Sequence, residues 1–233
     1  MILLRGTVVK SSVNEHVHRM TSLKARKYEL RQRAERQAET RQRIVEAIVS
    51  LHREVGPART TISAIAERAG VERLTVYRHF TDETTMFQAC AAHFATEVAP
   101  PDAAAWVDVP EPPDRLRAAL LAFYDYYRRG EDMLAHVHRD VGRLPALAAV
   151  MKPWDDFVGA VRDGLLDGWA APGPPRVRLA AAIAHALRFE TWRSLAHVEA
   201  LGEAATADLM VTLAQAAAAM APPGGRAPVR SRN

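Results

Sequence analysis

The chain has 233 residues, 48% of them hydrophobic and 25% charged, enough for one large or two smaller domains with a packed core. Its single cysteine, Cys90, excludes an internal disulfide and suits a cytoplasmic setting, and no apolar run is long enough to span a bilayer. The net charge of +4 is unevenly divided: residues 1–83 hold 16 Lys+Arg against 10 Asp+Glu, and residues 84–233 hold 15 against 17. A basic front half on a slightly acidic back half points to a polyanion at one end of the molecule only.

In chain order, residues 1–22 show no periodicity and predict disorder. From 23 to 40 the chain is polar and basic (Lys24, Arg26, Lys27, Arg31, Arg33, Arg36) and lacks breakers, which predicts an exposed helix. Lys24 and Lys27 then have two readings, a DNA-seeking arm or an ordinary solvated face. Ile44, Ile48, Leu51 and Val55 form an i, i+4, i+7, i+11 stripe, the first buried helix, which Gly56-Pro57 ends. A helix follows over 84–98, and the proline-rich stretch 99–113 reads as a linker. Further helices are predicted over 114–129, 131–140, 144–169, 175–196 and 203–220, and the Pro/Gly/Arg-rich tail 222–233 predicts disorder. Strand-like alternation is nearly absent, so the fold class is all-α. The boundaries give a DNA-binding unit over 23–83 and a second helical unit over 84–221.

The most specific segment is ISAIAERAGVERLTVYRHFT, from Ile62 to Thr81. A helix-turn-helix needs a small residue where two helices cross, a left-handed position in the turn, and apolar side chains that lock the second helix. Ala66 supplies the small residue and Gly70 the turn, with Ile65, Ala69, Val71, Leu74 and Val76 as the apolar contacts. Thr61 fits the N-cap of the first helix. The second helix, Glu72 to about Phe80, offers Arg73, Thr75, Tyr77, Arg78 and His79, side chains suited to phosphates and base edges in a major groove.

The run from Thr60 to Phe80 resembles the DNA-binding signature of the TetR/AcrR family of transcriptional regulators. The elements that carry the likeness are Thr61, Ile65-Ala66, Ala69-Gly70-Val71, Thr75-Val76-Tyr77 and His79-Phe80. With the preceding helix, Arg43 to Gly56, the resemblance extends over about Arg43 to Cys90. It implies a three-helix N-terminal DNA-binding domain, a C-terminal helical domain for ligand binding and dimerisation, and DNA contacts by Thr61, Arg73, Leu74, Thr75, Tyr77, Arg78 and His79. Two positions depart from the family pattern. Glu72 stands where a capping Ser is common, and Glu83 stands where a phosphate-contacting Lys is common.

In the back half, aromatic and His residues recur at helical spacings, and most such positions belong to a core. Phe123, Tyr127, Trp154, Phe157, His185 and Phe189 are the candidates for lining a small-molecule cavity between helices. His136 and His138, at i and i+2, lie on different helix faces and make no metal pair. No nucleophile elbow, phosphate loop or metal spacing occurs, so neither a cofactor nor an enzymatic activity is expected. Helices 175–196 and 203–220 are apolar nearly all round, more than one core-facing stripe needs, which predicts a homodimer interface. Two functional classes fit: a ligand-responsive regulator, expected to be a repressor, that binds a palindromic operator as a dimer, and a sequence-tolerant architectural DNA-binding protein.

Overall fold

The computed structural model describes residues 7–220, with side chains from Arg26 onward, and the tail expected from 222 lies outside them. Every regular element among the described residues is helical. Helix α1 (Thr7–Glu54) is continuous, so the basic stretch and the first buried helix are one rod that starts well before residue 23. The sequence explains the continuity: no Gly or Pro occurs between Gly6 and Gly56, so nothing interrupts propagation outward from the packed end. The packed end is Ile44, Ile48 and Leu51, all buried, whereas Val55 is exposed past the last turn.

Helices α2 (Ile62–Ala69), α3 (Arg73–His79) and α4 (Glu83–Glu97) follow. The linker expected over 99–113 includes a short 3₁₀ turn, Ala103–Ala105, that buries Trp106 beneath α5 (Pro112–Arg129). Helices α6 (Glu131–Asp140), α7 (Pro145–Leu165), α8 (Pro174–Ala186), α9 (Phe189–Trp192) and α10 (Glu203–Ala219) complete the chain, with a π-helical turn at Arg193–Val198 after α9. The helix predicted over 175–196 is therefore broken. Its carbonyls explain why: Thr191 Oγ1 donates to His185 O (2.6 Å), Tyr124 Oη to Ala186 O (3.0 Å) and Tyr127 Oη to Leu187 O (2.6 Å). Side-chain hydroxyls take over acceptors that a longer helix would have used, and α8 stops there.

The core is continuous from the front three helices into the back bundle. Its aromatic centre is Phe123, fully buried, with Trp106, Tyr127, Trp154 and Phe157 around it at centroid distances of 6.0–6.1 Å. Helix α10 packs along α8 and α5.

Candidate nucleic-acid interface

The turn between α2 and α3 follows from local chemistry. Thr61 is extended and its Oγ1 accepts from Ala64 N at 3.2 Å, capping α2. Gly70 ends α2 in the left-handed region (φ 63°, ψ 44°), and Val71 N donates back to Ala66 O; a residue with a Cβ would be strained there. Ile65, Ala66, Ala69 and Val76 are buried and hold α2 and α3 against α1. Leu74 is different from its expected role as a locking residue: it is 59% exposed, because its position on α3 faces away from α1 and α2.

The outer face of α3 therefore presents Arg73, Leu74, Tyr77 and Arg78 to solvent, with Tyr77 49% exposed. Thr75 and His79 are half-buried along one side of the helix. None of these side chains is consumed by an ion pair among the described residues, in contrast to Arg68, which is bound to the Glu54 carboxylate on the far side of α2. That guanidinium holds the Glu54 carboxyl below its ordinary range. Glu72 takes the N-cap position of α3 without a side-chain cap bond. The cap the sequence did not announce is Asp82, which accepts from Thr85 N at 2.8 Å and opens α4; that bond holds its carboxyl below the usual range. The predicted start at 84 lies one residue late, and with the helix opening at Glu83 the preceding Asp82 is a standard cap.

The front domain is fastened to α6 by polar contacts far apart in sequence. The buried Asp140 accepts from Ala58 N at 3.0 Å and from Arg139 Nε at 2.8 Å, Arg139 Nη2 donates to Val55 O at 3.0 Å, and His136 Nδ1 donates to His52 O at 3.0 Å. The Arg139 bond keeps the Asp140 carboxyl ionised below its ordinary value. Gly56, at φ 90°, makes this close approach possible: a Cβ there would lie 2.7 Å from Asp140 Oδ2. Thus α6 grips the last turn of α1 and the segment leading to α2.

The adjoining side of α6 walls a cavity of about 190 Å³ lined by Phe87, Cys90 and Phe94 of α4, Met133 and Val137 of α6, Met151 and Trp154 of α7, and Tyr126, with His52 and Pro57 at its edge. Its polar edge is the pair Cys90 Sγ and His52 Nδ1, 3.3 Å apart. Burial pushes the Cys90 thiol up to about 12 and the His52 imidazole down to about 4, so both groups are neutral near pH 7 and the cavity carries no charge there. Of the six expected cavity residues, only Trp154 lines this space. Phe123, Tyr127 and Phe189 are buried in the aromatic core, Phe157 is half-buried against Phe123, and His185 is exposed on α8. Tyr127, Trp154 and Phe189 also border a separate, more polar depression of about 340 Å³ with His138 and Arg162. No cluster of three or more His, Cys, Asp or Glu fit to hold a metal occurs among the described residues, and no described helix is long and apolar enough to cross a membrane.

A capped, glycine-turned helix pair that exposes a donor-rich second helix is the arrangement of a helix-turn-helix. Residues 44–90 match the family described as bacterial regulatory proteins, tetR family. The match runs from the packed end of α1 into α4, so the helix-turn-helix and its flanking helices are similar to that family's N-terminal domain. Solved structures share the fold over most of the chain. A transcriptional regulator from Rhodococcus sp. Rha1 superposes with a TM-score of 0.53 at 19% identity, covering 78% of this chain and 99% of that one. A tetR-family regulator from Syntrophomonas wolfei gives 0.55 at 16% identity over 78% and 95%. NalD, the secondary repressor of the MexAB-OprM multidrug efflux pump in Pseudomonas aeruginosa, gives 0.53 at 18% over 78% and 96%. No curated protein matches the sequence.

Proposed function

We propose that the protein is a ligand-responsive repressor: a homodimer that places two α3 helices in successive major grooves of a palindromic operator and is released by a small-molecule effector. The observation that carries this reading is the exposed, unpaired face of α3, with Arg73, Leu74, Tyr77 and Arg78 side by side. Arginine reads guanine edges or phosphates, and an exposed leucine beside it suits a thymine methyl group. Thr61, Thr75 and His79 flank that face and would contact the backbone.

Dimerisation is supported by what α8 and α10 leave uncovered. On α10, Leu209 and Leu213 recur at i and i+4 and are 44% and 43% exposed, and Met220 just past its end is 56% exposed. Beside them, α8 offers Val177 with Ala181 and Ala184, small residues that let a second pair of helices approach closely. Two helices from each copy would form a four-helix bundle about a two-fold axis. The two α3 helices would then sit about 34–36 Å apart, one turn of DNA. The effector would occupy the apolar cavity between α4, α6 and α7, whose size and lack of charge suit a small neutral molecule. NalD, which shares the fold, is a repressor.

The test is selection of a duplex from a randomised pool with the parent chain, followed by titration of variants. Arg73→Ala and Tyr77→Ala should each weaken binding to the selected site by about 1–3 kcal/mol, and Arg73→Ala should relax the preference at one base position. Unchanged binding by both variants would refute the placement of α3. A parent chain that selects no sequence, and binds all duplexes alike, would favour an architectural role.

A further inference from the structure

The part of α1 that extends beyond the three-helix domain does not stand apart from α3. Arg33, Arg36, Thr40 and Arg41 of α1 and Thr75, Arg78 and His79 of α3 line one open cleft of about 600 Å³, and no carboxylate is among its lining residues. Arg41 lies over the Phe80 ring, 5.0 Å from its centroid, which fixes the register of α1 beside the C-terminal end of α3.

The charges on α1 are sorted by face. At about 100° per residue, positions 33, 36, 37, 40 and 41 share the side that faces α3, whereas 35, 39 and 46 fall on the opposite side. Those opposite positions are Glu35, Glu39 and Glu46, and two of them are already engaged, Glu35 with Arg31 at 2.8 Å and Glu46 with Gln42 at 2.9 Å. Arg33, Arg36, Arg41 and Arg78 have no ion-pair partner among the described residues. Four guanidinium groups around one cleft repel each other unless an anion lies between them.

We infer that this cleft seats the sugar-phosphate strand bordering the major groove that α3 enters, with Arg33, Arg36 and Arg78 as its phosphate contacts. The inference rests on the proposed DNA-binding role of α3 and adds a second contact surface to it. It is favoured over an acidic peptide by position, since Arg78 belongs both to the cleft and to the exposed face of α3. It also revises the expected arm. Lys27 is exposed but lies about 120° around the helix from Arg33, Glu29 interrupts the face beyond Arg33, and the Lys24 side chain lies outside the described residues. Contact is therefore confined to the arginines of the cleft.

The experiment uses the full chain and the duplex it selects, with affinity measured by fluorescence anisotropy over a range of salt concentrations. Each phosphate contact contributes about 0.9 to the slope of log affinity against log salt. The variant Arg33→Gln/Arg36→Gln, at exposed positions, should flatten that slope by about 1.8. The ratio of affinities for selected and random duplexes should stay the same, and phosphate ethylation should cease to interfere at the phosphates held by Arg33 and Arg36 while still interfering at that held by Arg78. Lys27→Gln should leave the slope as in the parent. An unchanged slope in the double variant, or equal flattening by Lys27→Gln, would overturn the inference while leaving sequence-selective binding intact. A parent that binds no duplex would overturn the DNA-binding reading itself.

Discussion

His52 should make the protein start to lose stability on mild acidification, from about pH 6.5 downward. The ring is buried at the end of α1, against Phe87 (centroids 5.7 Å apart) and the Cys90 thiol. Burial lowers its pKa from the ordinary 6.5 to about 4, partly opposed by the nearby Asp140 carboxylate. The unfolded chain takes up a proton as pH falls through about 6.5, whereas the folded chain resists until about 4. The contribution is thus fully present above the unfolded value and is lost as pH falls towards the folded one. At about 1.4 kcal/mol per pH unit, a window of about 2.5 units amounts to about 3–4 kcal/mol, of which about 3 falls between about pH 6.5 and 4.5. The comparison is parent against His52→Gln, by denaturant unfolding followed by circular dichroism from pH 7 to pH 4.5. The variant should start less stable, because it loses the ring's packing, but should show a shallower decline. All other histidines, including His138, which burial also lowers, are common to both chains and cancel. Parallel pH profiles for the two chains would refute the assignment of a buried neutral ring at this position.

Three further outcomes are expected. Asp140→Ala should cost about 3 kcal/mol, because a charged hydrogen-bond acceptor is lost and Ala58 N–H is left without a partner; Asp140→Asn should retain part of it, and thermal unfolding distinguishes the two. Because its folded pKa is depressed, the Asp140 contribution should be present above about pH 4 and vanish below it, so equal stability of parent and Asp140→Ala at neutral pH would discount the fastening of α6 to the front domain. Leu209→Asp combined with Leu213→Asp should shift the protein from dimer to monomer in sedimentation and abolish binding to the selected duplex, and a monomeric parent with tight binding would defeat the proposed interface.

What could be read from sequence was what is encoded within a few residues. The Thr61 cap, the Gly70 turn and the α6 boundaries at Glu131 and Asp140 depend on local rules, and the structure has them where those rules put them. The errors arose where a distant residue decided the outcome. The predicted helix over 175–196 has no breaker of its own; it ends because Tyr124 and Tyr127, more than sixty positions away in the first case, reach its carbonyls. Leu74 has the composition of a core residue, and only the orientation of α3 shows it to be exposed. The aromatic residues chosen as cavity lining illustrate the same limit: Phe123 and Trp154 have similar chemistry, yet one is enclosed by rings and the other borders a cavity. The cavity's own residues, such as Cys90, Met133 and Met151, carry no periodic mark that separates a wall from a packed interior.

Helix α6 has ten residues and touches both the cavity, through Met133 and Val137, and the turn before α2, through Asp140. Two sites in contact with one short rigid body share a single free-energy cycle. Whatever factor a molecule in the cavity imposes on DNA affinity, DNA must impose on affinity for that molecule, and such factors commonly run from about 5 to 150. Under the proposed function, a copy seated on its operator is a poorer receptor than a copy free in solution. The dose that relieves repression would then depend on the ratio of protein to operators, so two cells with the same regulator and different amounts of it would respond to one effector at different concentrations.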